Sequence, residues 1–288
     1  MSAPQAAPDA GRLQRPAGMV VGVPLNGRRN SLNLMRLILA SSVILHHSYP
    51  LINAADFGPE YLGDRLGGWA VIGFFCLSGY LITGSRWGKS FGDYLTLRIA
   101  RIYPAFLVCL VVTAFVFAPI NYAHVKGNLD GFWTTATTPF NYVFSNITLK
   151  MLHYDVAQTP LGVPYAGAWD GALWSLYYEF ACYLLVGVLG LWAVARRSPW
   201  PMAGLWVLFV AMRVGYEGLS PVLGVGFDMD YLTKLAPYFL AGGVLHCFKR
   251  RVGMHWGVAL GSAAALVGLL AVNAHWGGQV GSLFAAYV

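Results

Sequence analysis

Arg36 and His47 are two polar residues inside the first apolar run of the chain, residues 32–52. Charged side chains at the centre of a bilayer cost at least ~2.5 kcal/mol each, so both are candidates for function. Eleven residues make three helical turns plus about 20°, and the two side chains therefore share one face, about 16 Å apart along the axis. His46 lies about 80° off that face. The alternative is that Arg36 reaches the headgroups while the histidines cap a helix end.

A second basic pair, Arg98 and Arg101, is spaced i, i+3 and lies on one face of a helix. Guanidinium groups bind phosphate through two parallel hydrogen bonds, so the pair could hold a phosphorylated ligand. Contact with lipid headgroups is the alternative, worth about 1 kcal/mol per residue, and the spacing does not separate the two. Upstream, Ser78-Gly79 lacks the flanking glycines of a nucleophile elbow, and we expect it to allow close helix packing.

Glu179 is the one acidic residue inside any apolar run that is predicted to span a membrane. An unpaired carboxylate there would be costly, so we expect a basic partner or a protonated carboxyl group. Orientation of His47 or pairing with an arginine would meet this need.

The composition explains why these polar residues stand out. Hydrophobic residues make up 57% of the 288 residues and charged residues 11%, against about 25% charged in a soluble domain. This excludes a disordered chain, a collagen, a coiled coil and a disulfide scaffold, and it predicts an integral membrane protein. The cysteines lie in or beside apolar runs, where we expect them to be small apolar residues. They are Cys76, Cys109, Cys182 and Cys247.

Seven apolar runs predict complete transmembrane helices, and an eighth run begins near Gly277. The seven are residues 32–52, 69–83, 102–122, 172–195, 201–214, 231–248 and 257–272. The sequence therefore predicts an all-α polytopic transmembrane helical bundle over residues 31–288, preceded by a flexible cytoplasmic tail over residues 1–30. Since the chain stops early in the eighth run, we expect a bundle that is truncated at its C-terminus.

The basic residues predict the orientation of these helices. The tail and the second, fourth and sixth loops carry most of the 19 lysines and arginines, which places the N-terminus in the cytoplasm. The net charge of +7 is thus a topology signal, and no nucleic-acid partner is expected. The longest loop, residues 124–170, would lie outside. Its aromatic and amide residues suit either sugar contact or a lid on the headgroups.

Three separated segments, covering roughly residues 33–185, together resemble the acyltransferase 3 family of membrane O-acyltransferases. They are Arg36-x10-His47; Gly73-Phe74-Phe75-Cys76-Leu77-Ser78-Gly79-Tyr80-Leu81-Ile82 followed by Arg98-x-x-Arg101; and Trp174-Ser175-Leu176-x-x-Glu179. The resemblance implies transfer of an acyl group, usually acetyl, from cytoplasmic acyl-CoA to a hydroxyl outside, on a surface polysaccharide, peptidoglycan or lipid-linked sugar. It also implies about ten spans in a longer chain, which this sequence does not have.

By position, the resemblance makes His47 and Arg36 the catalytic pair and Arg98 and Arg101 the second basic motif. His47 would then be a general base or carry the acyl group itself, with Glu179 as a supporting catalytic residue. Acyl-CoA is expected as the donor substrate, with no tightly bound cofactor and no metal. The partners would be the lipid bilayer and a carbohydrate or lipid-linked acceptor, in a bacterial inner membrane.

Two other functions stay open from the sequence. A transporter of polysaccharide or lipid-linked sugar could use the intramembrane charges as a relay, although no inverted repeat is visible. A haem-binding electron carrier would pair His46 or His47 with His246. Depth disfavours the haem pairing, because His246 falls at the predicted cytoplasmic end of its helix.

Overall fold

The computed structural model describes residues 31–53, 56–223, 227–274 and 276–288, without the side chains of residues 216–223 and 227. The predicted tail lies outside these ranges. The helices are α1 (Leu32–Ile52), α2 (Leu66–Trp87), α3 (Phe91–Val112), α4 (Ala118–Lys126), α5 (Pro139–Asn146), α6 (Ser175–Leu189), α7 (Ala193–Arg197), α8 (Trp200–Leu223), α9 (Phe227–Phe248), α10 (Trp256–Val272), α11 (Gly277–Val280) and α12 (Ser282–Tyr287). A short hairpin, β1 (Glu60–Tyr61) and β2 (Asp64–Arg65), precedes α2.

The described chain is mainly helical, as predicted, but the number of spans is not confirmed. Within the described residues, three helical segments are long and apolar enough to cross a membrane: Leu66–Trp87, Phe91–Lys126 and Gly171–Leu189. Two further apolar helices, Trp200–Gly215 and Trp256–Val272, are shorter. The predicted run 172–195 is interrupted after α6, and the predicted eighth span consists of the short helices α11 and α12.

The segment Phe91–Lys126 forms one continuous helix with an irregular turn. Ser90 caps its start, since the hydroxyl of Ser90 accepts a hydrogen bond from the backbone N–H of Asp93 at 3.1 Å. A π-helical turn, Thr113–Phe117, separates α3 from α4. Pro119 follows this turn, and its missing N–H removes one bond of the regular helical ladder. Gly127, with φ of 82°, ends α4 in the left-handed conformation that glycine favours.

Helices α2 and α9 pack closely along a seam of glycines. A Cβ on Gly79 would lie 1.8 Å from the carbonyl oxygen of Phe239, and a Cβ on Gly242 would lie 2.1 Å from that of Cys76. Only glycine permits backbones to approach this closely. The expectation that Ser78-Gly79 allows close packing is therefore confirmed for Gly79.

The contacts along this seam show that α2 and α9 run in the same direction. Lys234 forms an ion pair with Asp64 at 3.0 Å near the start of both helices, and His246 lies against Gly84 near their ends. At that second end the buried Arg86 donates from Nε to the carbonyl of Gly187 in α6 at 2.9 Å. The basic loops that follow α2, α7 and α9 therefore lie at one end of the bundle.

The long connection between α4 and α6 is packed rather than loose. Its buried residues form a second hydrophobic cluster with the C-terminal half of α3 and with α4, separate from the cluster between α2, α6 and α9. The members from the connection include Phe132, Tyr142, Leu149 and Val156. This packing holds the connection against α3 and α4.

Candidate functional site

A half-open cavity of about 420 Å³ is lined by residues of α1, α2, α3 and the α6 region. Most of its wall is apolar, as in typical small-molecule sites. Its polar lining is supplied by Arg36, Ser78, Arg98, Arg101, Cys109, Glu179 and Tyr183. The structure thus brings four of the five predicted site residues, from three segments of the sequence, to one cavity.

The basic part of this lining has no carboxylate within ion-pair distance in the described ranges of the chain. In the part of the chain that the structure describes, Arg36, Arg98 and Arg101 form no salt bridge with a carboxylate. The Nε atom of Arg98 is buried without a hydrogen-bond partner, while its guanidinium lies 5.9 Å from the ring centre of Tyr94. Three guanidinium groups that line one cavity offer several hydrogen-bond donors suited to charged oxygens.

Glu179 is held by two hydroxyl groups instead of a basic residue. Ser78 Oγ donates to Oε1 of Glu179 at 2.7 Å, and Tyr183 OH donates to the same oxygen at 2.6 Å. The expected contacts of Glu179 with an arginine or with His47 are therefore not present in the described structure. The second oxygen, Oε2, has no hydrogen-bond donor among the described residues. Glu179 can thus accept a hydrogen bond from a ligand in the cavity.

Sequence reasoning missed Ser78 and Tyr183 as parts of the site. The sequence predicts a packing role for Ser78 beside Gly79 and no role for Tyr183. The signal was present in the sequence: Tyr183 follows Glu179 by four residues, the spacing that brings helical side chains together. The contact of Ser78 joins residues that are 101 positions apart, so no local pattern could reveal it.

His47 lies outside the residues that line the cavity. Its Nδ1 is 2.8 Å from the carbonyl oxygen of Val43, one turn earlier in α1. A carbonyl oxygen only accepts hydrogen bonds, so this contact assigns a proton to Nδ1, and in the neutral tautomer the lone pair is then on Nε2. This is the tautomer that a general base at Nε2 requires.

His46 has different surroundings from its neighbour. Its ring contacts the ring of His47 edge to face, with centroids 5.2 Å apart, and lies against Gly67 at the start of α2. Because a Cβ on Gly67 would lie 2.3 Å from this ring, His46 is a packing residue between α1 and α2.

The positions of the histidines argue against a shared haem. His46 lies against Gly67 and His246 against Gly84, which are seventeen residues apart on α2. That separation is about 25 Å of helix, too long for two ligands of one iron. Within the described residues, no group of three or more His, Cys, Asp or Glu could hold a metal ion.

A group of rings and charges lies at the opposite end of α6 from the basic loops. Trp174 and Tyr231 have ring centroids 4.8 Å apart, and the ammonium of Lys150 is 5.9 Å from the ring centre of Tyr177. Lys150 also pairs with Asp228, and this hydrogen bond raises the pKa of Lys150. These groups offer donors, acceptors and flat apolar surfaces.

The sequence is similar to known acyltransferases. Residues 29–287 match the sequence model of the acyltransferase 3 family, described as an acyltransferase domain. The chain is 30% identical to an O-acetyl transferase of Shigella phage Sf6, over 86% of this chain and 70% of that protein. It is 29% identical to Nodulation protein 10 of Rhizobium leguminosarum bv. viciae, over 85% of this chain and 71% of that protein. No solved structure matches the chain significantly.

The family match extends over far more than half of the 288 residues, and the phage relative is matched over more than two thirds of its own length. The basic cavity, the apolar helices around it and these similarities lead to one conclusion. The chain is an integral membrane acyltransferase and belongs to the acyltransferase 3 family.

Proposed function

We propose that the protein is an O-acyltransferase that moves an acyl group, acetyl in the simplest case, from cytoplasmic acyl-CoA to a hydroxyl of a carbohydrate outside the membrane. The observation that carries this proposal is the cavity with three guanidinium groups that have no carboxylate partner among the described residues. In this topology the N-terminus and the basic loops are cytoplasmic, in keeping with the clustering of basic residues at one end of the bundle.

The cavity suits the phosphorylated arm of acyl-CoA. Its volume of about 420 Å³ is enough for a pantetheine arm but small for the whole cofactor, so the nucleotide would stay near the exposed Arg101. Phosphate oxygens would contact Arg98 and Arg101 at the basic end, and Arg36 faces the same space. The Nε atom of Arg98, which has no hydrogen-bond partner among the described residues, supplies one donor for such an oxygen.

The carboxylate of Glu179 adds specificity for the donor. With Oε1 occupied by Ser78 and Tyr183, Oε2 can accept an amide N–H, and a pantetheine arm has two amide groups. Glu179 is thus proposed to contact the donor directly rather than through His47. Ser78 and Tyr183 are positioning residues, because they act on the donor only through Glu179.

His47 supplies the base for the transfer step. Its Nε2 takes the proton of the acceptor hydroxyl, the hydroxyl oxygen attacks the thioester carbonyl, and the C–S bond breaks with release of the CoA thiolate. The imidazolium then protonates the thiolate, which restores the enzyme. Because His47 lies about 16 Å beyond Arg36 along α1, the acyl end of the donor must extend past the cavity toward the outer half of the helix.

The outer group of rings around Trp174 and Tyr231 is the proposed contact surface for the acceptor. Carbohydrate hydroxyls would bond to charged groups such as Lys150 and Asp228, and the rings would cover the apolar faces of the sugar. The name of the phage relative, an O-acetyl transferase, supports a hydroxyl acceptor.

Labelled acetyl transfer tests this proposal. The full chain is reconstituted in sealed phospholipid vesicles that contain the surface carbohydrate of the native host, and the vesicles are incubated with [¹⁴C]acetyl-CoA. We expect label on carbohydrate and release of CoA thiol, both lost in His47→Ala. Intact donor or sugar carried across a vesicle membrane, with no acetyl group transferred, would instead support a transporter.

A further inference from the structure

We propose that α5 lies inside the hydrocarbon core of the membrane, with Phe140, Phe144 and Ile147 facing lipid acyl chains. The connection between α4 and α6 would then enter the membrane as a re-entrant segment instead of resting outside it. This inference concerns how the chain meets the bilayer and does not depend on the donor or on the acceptor.

The exposed face of α5 is mainly apolar, and its one exposed polar side chain, Asn141, donates from Nδ2 to the carbonyl of Ala136 at 3.1 Å. Phe140, Phe144 and Ile147 follow i, i+4, i+7 spacing and are 58%, 66% and 40% exposed. Tyr142 and Asn146, on the other side of the helix, are fully buried. This distribution is the reverse of a helix on a water-soluble surface, and it suits an apolar solvent.

The long helix α3–α4 provides a depth scale. Arg101 is its last charged residue before the apolar stretch, and Ile120 is the last apolar residue before Asn121, His124 and Lys126. From residue 102 to residue 120 the helix rises about 27 Å, close to the ~30 Å of a hydrocarbon core. Residues between these limits therefore lie at membrane depth.

Contacts between α5 and this helix fall well inside those limits. Cys109 Sγ donates to one oxygen of Asp170 at 3.3 Å, and Tyr142 OH donates to the other oxygen at 3.0 Å. Tyr142 is therefore near the level of Cys109, about 12 Å beyond Arg101. Phe140 contacts Phe115, with ring centroids 5.1 Å apart, at a level about 21 Å beyond Arg101.

The segment also meets the requirement that buried backbone and amide groups be paired. The helix satisfies its own interior backbone, and Thr138 caps its first turn by accepting from the N–H of Asn141 at 3.1 Å. The Asn146 amide donates to the carbonyl of His153 at 2.8 Å and accepts from the N–H of Leu152 at 2.7 Å. On α3, Val108 is a further exposed apolar residue between the same depth limits.

Site-specific photocrosslinking tests this placement. The photoreactive residue p-benzoylphenylalanine, which resembles phenylalanine, replaces Phe140 or Phe144 in the full chain in phospholipid nanodiscs. Replacement of Val108 is the positive control for lipid contact, and replacement of Asn128, exposed beyond α4, is the negative control. Each variant is first checked for a single monodisperse peak, and intact-mass spectrometry then identifies the adducts.

We expect phospholipid adducts at positions 140, 144 and 108 and at most a tenth as much at 128. A position-108 adduct without adducts at 140 and 144 would overturn the proposal, as would a crosslink at 140 or 144 to a second copy of the chain. The two positions are tested separately, so a folding defect in one variant leaves the other informative.

Discussion

At the scale of single residues, the two neighbouring histidines of α1 differ in what they contact. The ring of His46 packs on Gly67, while Nδ1 of His47 is fixed by the carbonyl of Val43. We expect His47→Ala to lower acyl transfer by 10²–10⁴-fold, the usual contribution of a general base. His46→Ala should keep substantial activity and lose thermal stability instead. Both variants are compared at matched membrane levels, and an inactive His46→Ala beside an active His47→Ala would reverse the assignment.

Ser78 and Tyr183 act on Glu179 through short hydrogen bonds from hydroxyl groups. Ser78→Ala and Tyr183→Phe each remove one of these donors, so we expect each to raise the KM for acetyl-CoA about 3- to 10-fold, in line with ~1 kcal/mol per bond. Ser78→Thr keeps a hydroxyl and should restore part of the loss. Tyr142→Phe is the matched control. It removes a hydroxyl group that donates to Asp170, and neither Tyr142 nor Asp170 lines the cavity. An unchanged KM in both site variants would contradict the positioning role.

At the scale of helices, packing at the α2–α9 seam leaves no space for a side chain at Gly79. Gly79→Ala would place a Cβ against a backbone oxygen, and overpacking of this kind typically costs 1–3 kcal/mol. Gly261→Ala is the matched control, since Gly261 lies in α10 with no heavy atom within 4 Å of the added Cβ. Thermal unfolding in detergent should show a lower midpoint for Gly79→Ala and an equal or higher one for Gly261→Ala. Equal thermal unfolding midpoints for the two variants would contradict close backbone packing between α2 and α9.

Local pattern was sufficient to predict the helices but not every break in them. Apolar runs predicted α1, α2 and α3 because these segments depend on length and composition alone. The interruption after α6 and the packing of α5 depend on residues distant in sequence, and no periodicity reports those contacts. The cavity lining was predictable in part, since charges inside apolar runs are costly and identified Arg36 and Glu179. The residues that contact Arg36 and Glu179 in the structure are not predictable from local sequence pattern.

At the scale of the whole molecule, the end of the bundle that carries the basic loops is expected to face the cytoplasm. Cysteines introduced at Lys89 and at Asn128 lie at opposite ends of α3–α4, and both positions are exposed. A membrane-impermeant maleimide applied to intact cells should label Asn128→Cys only, with the unsubstituted protein as the background control. Labelling of Lys89→Cys without Asn128→Cys would invert the topology.

The proposed function depends on recognition of the donor phosphates by the basic end of the cavity. Donors that lack these phosphates test that recognition most directly. Acetyl-pantetheine keeps the thioester and both amide groups of acetyl-CoA but has no phosphate. For the unsubstituted chain in nanodiscs, we expect the KM for acetyl-CoA to be at least ~10-fold lower than that for acetyl-pantetheine, because hydrogen bonds to charged groups contribute about 1.5–3 kcal/mol.

The decisive measurement is this KM ratio in Arg98→Ala. We expect the substitution to remove most of the advantage of acetyl-CoA, with little change for acetyl-pantetheine, and Arg98→Lys to restore only part of it. Lys89→Ala, a basic residue at the same end but outside the cavity lining, should leave the ratio unchanged. An unchanged ratio in Arg98→Ala would contradict phosphate binding in the cavity and would leave Arg98 as a contact for lipid headgroups.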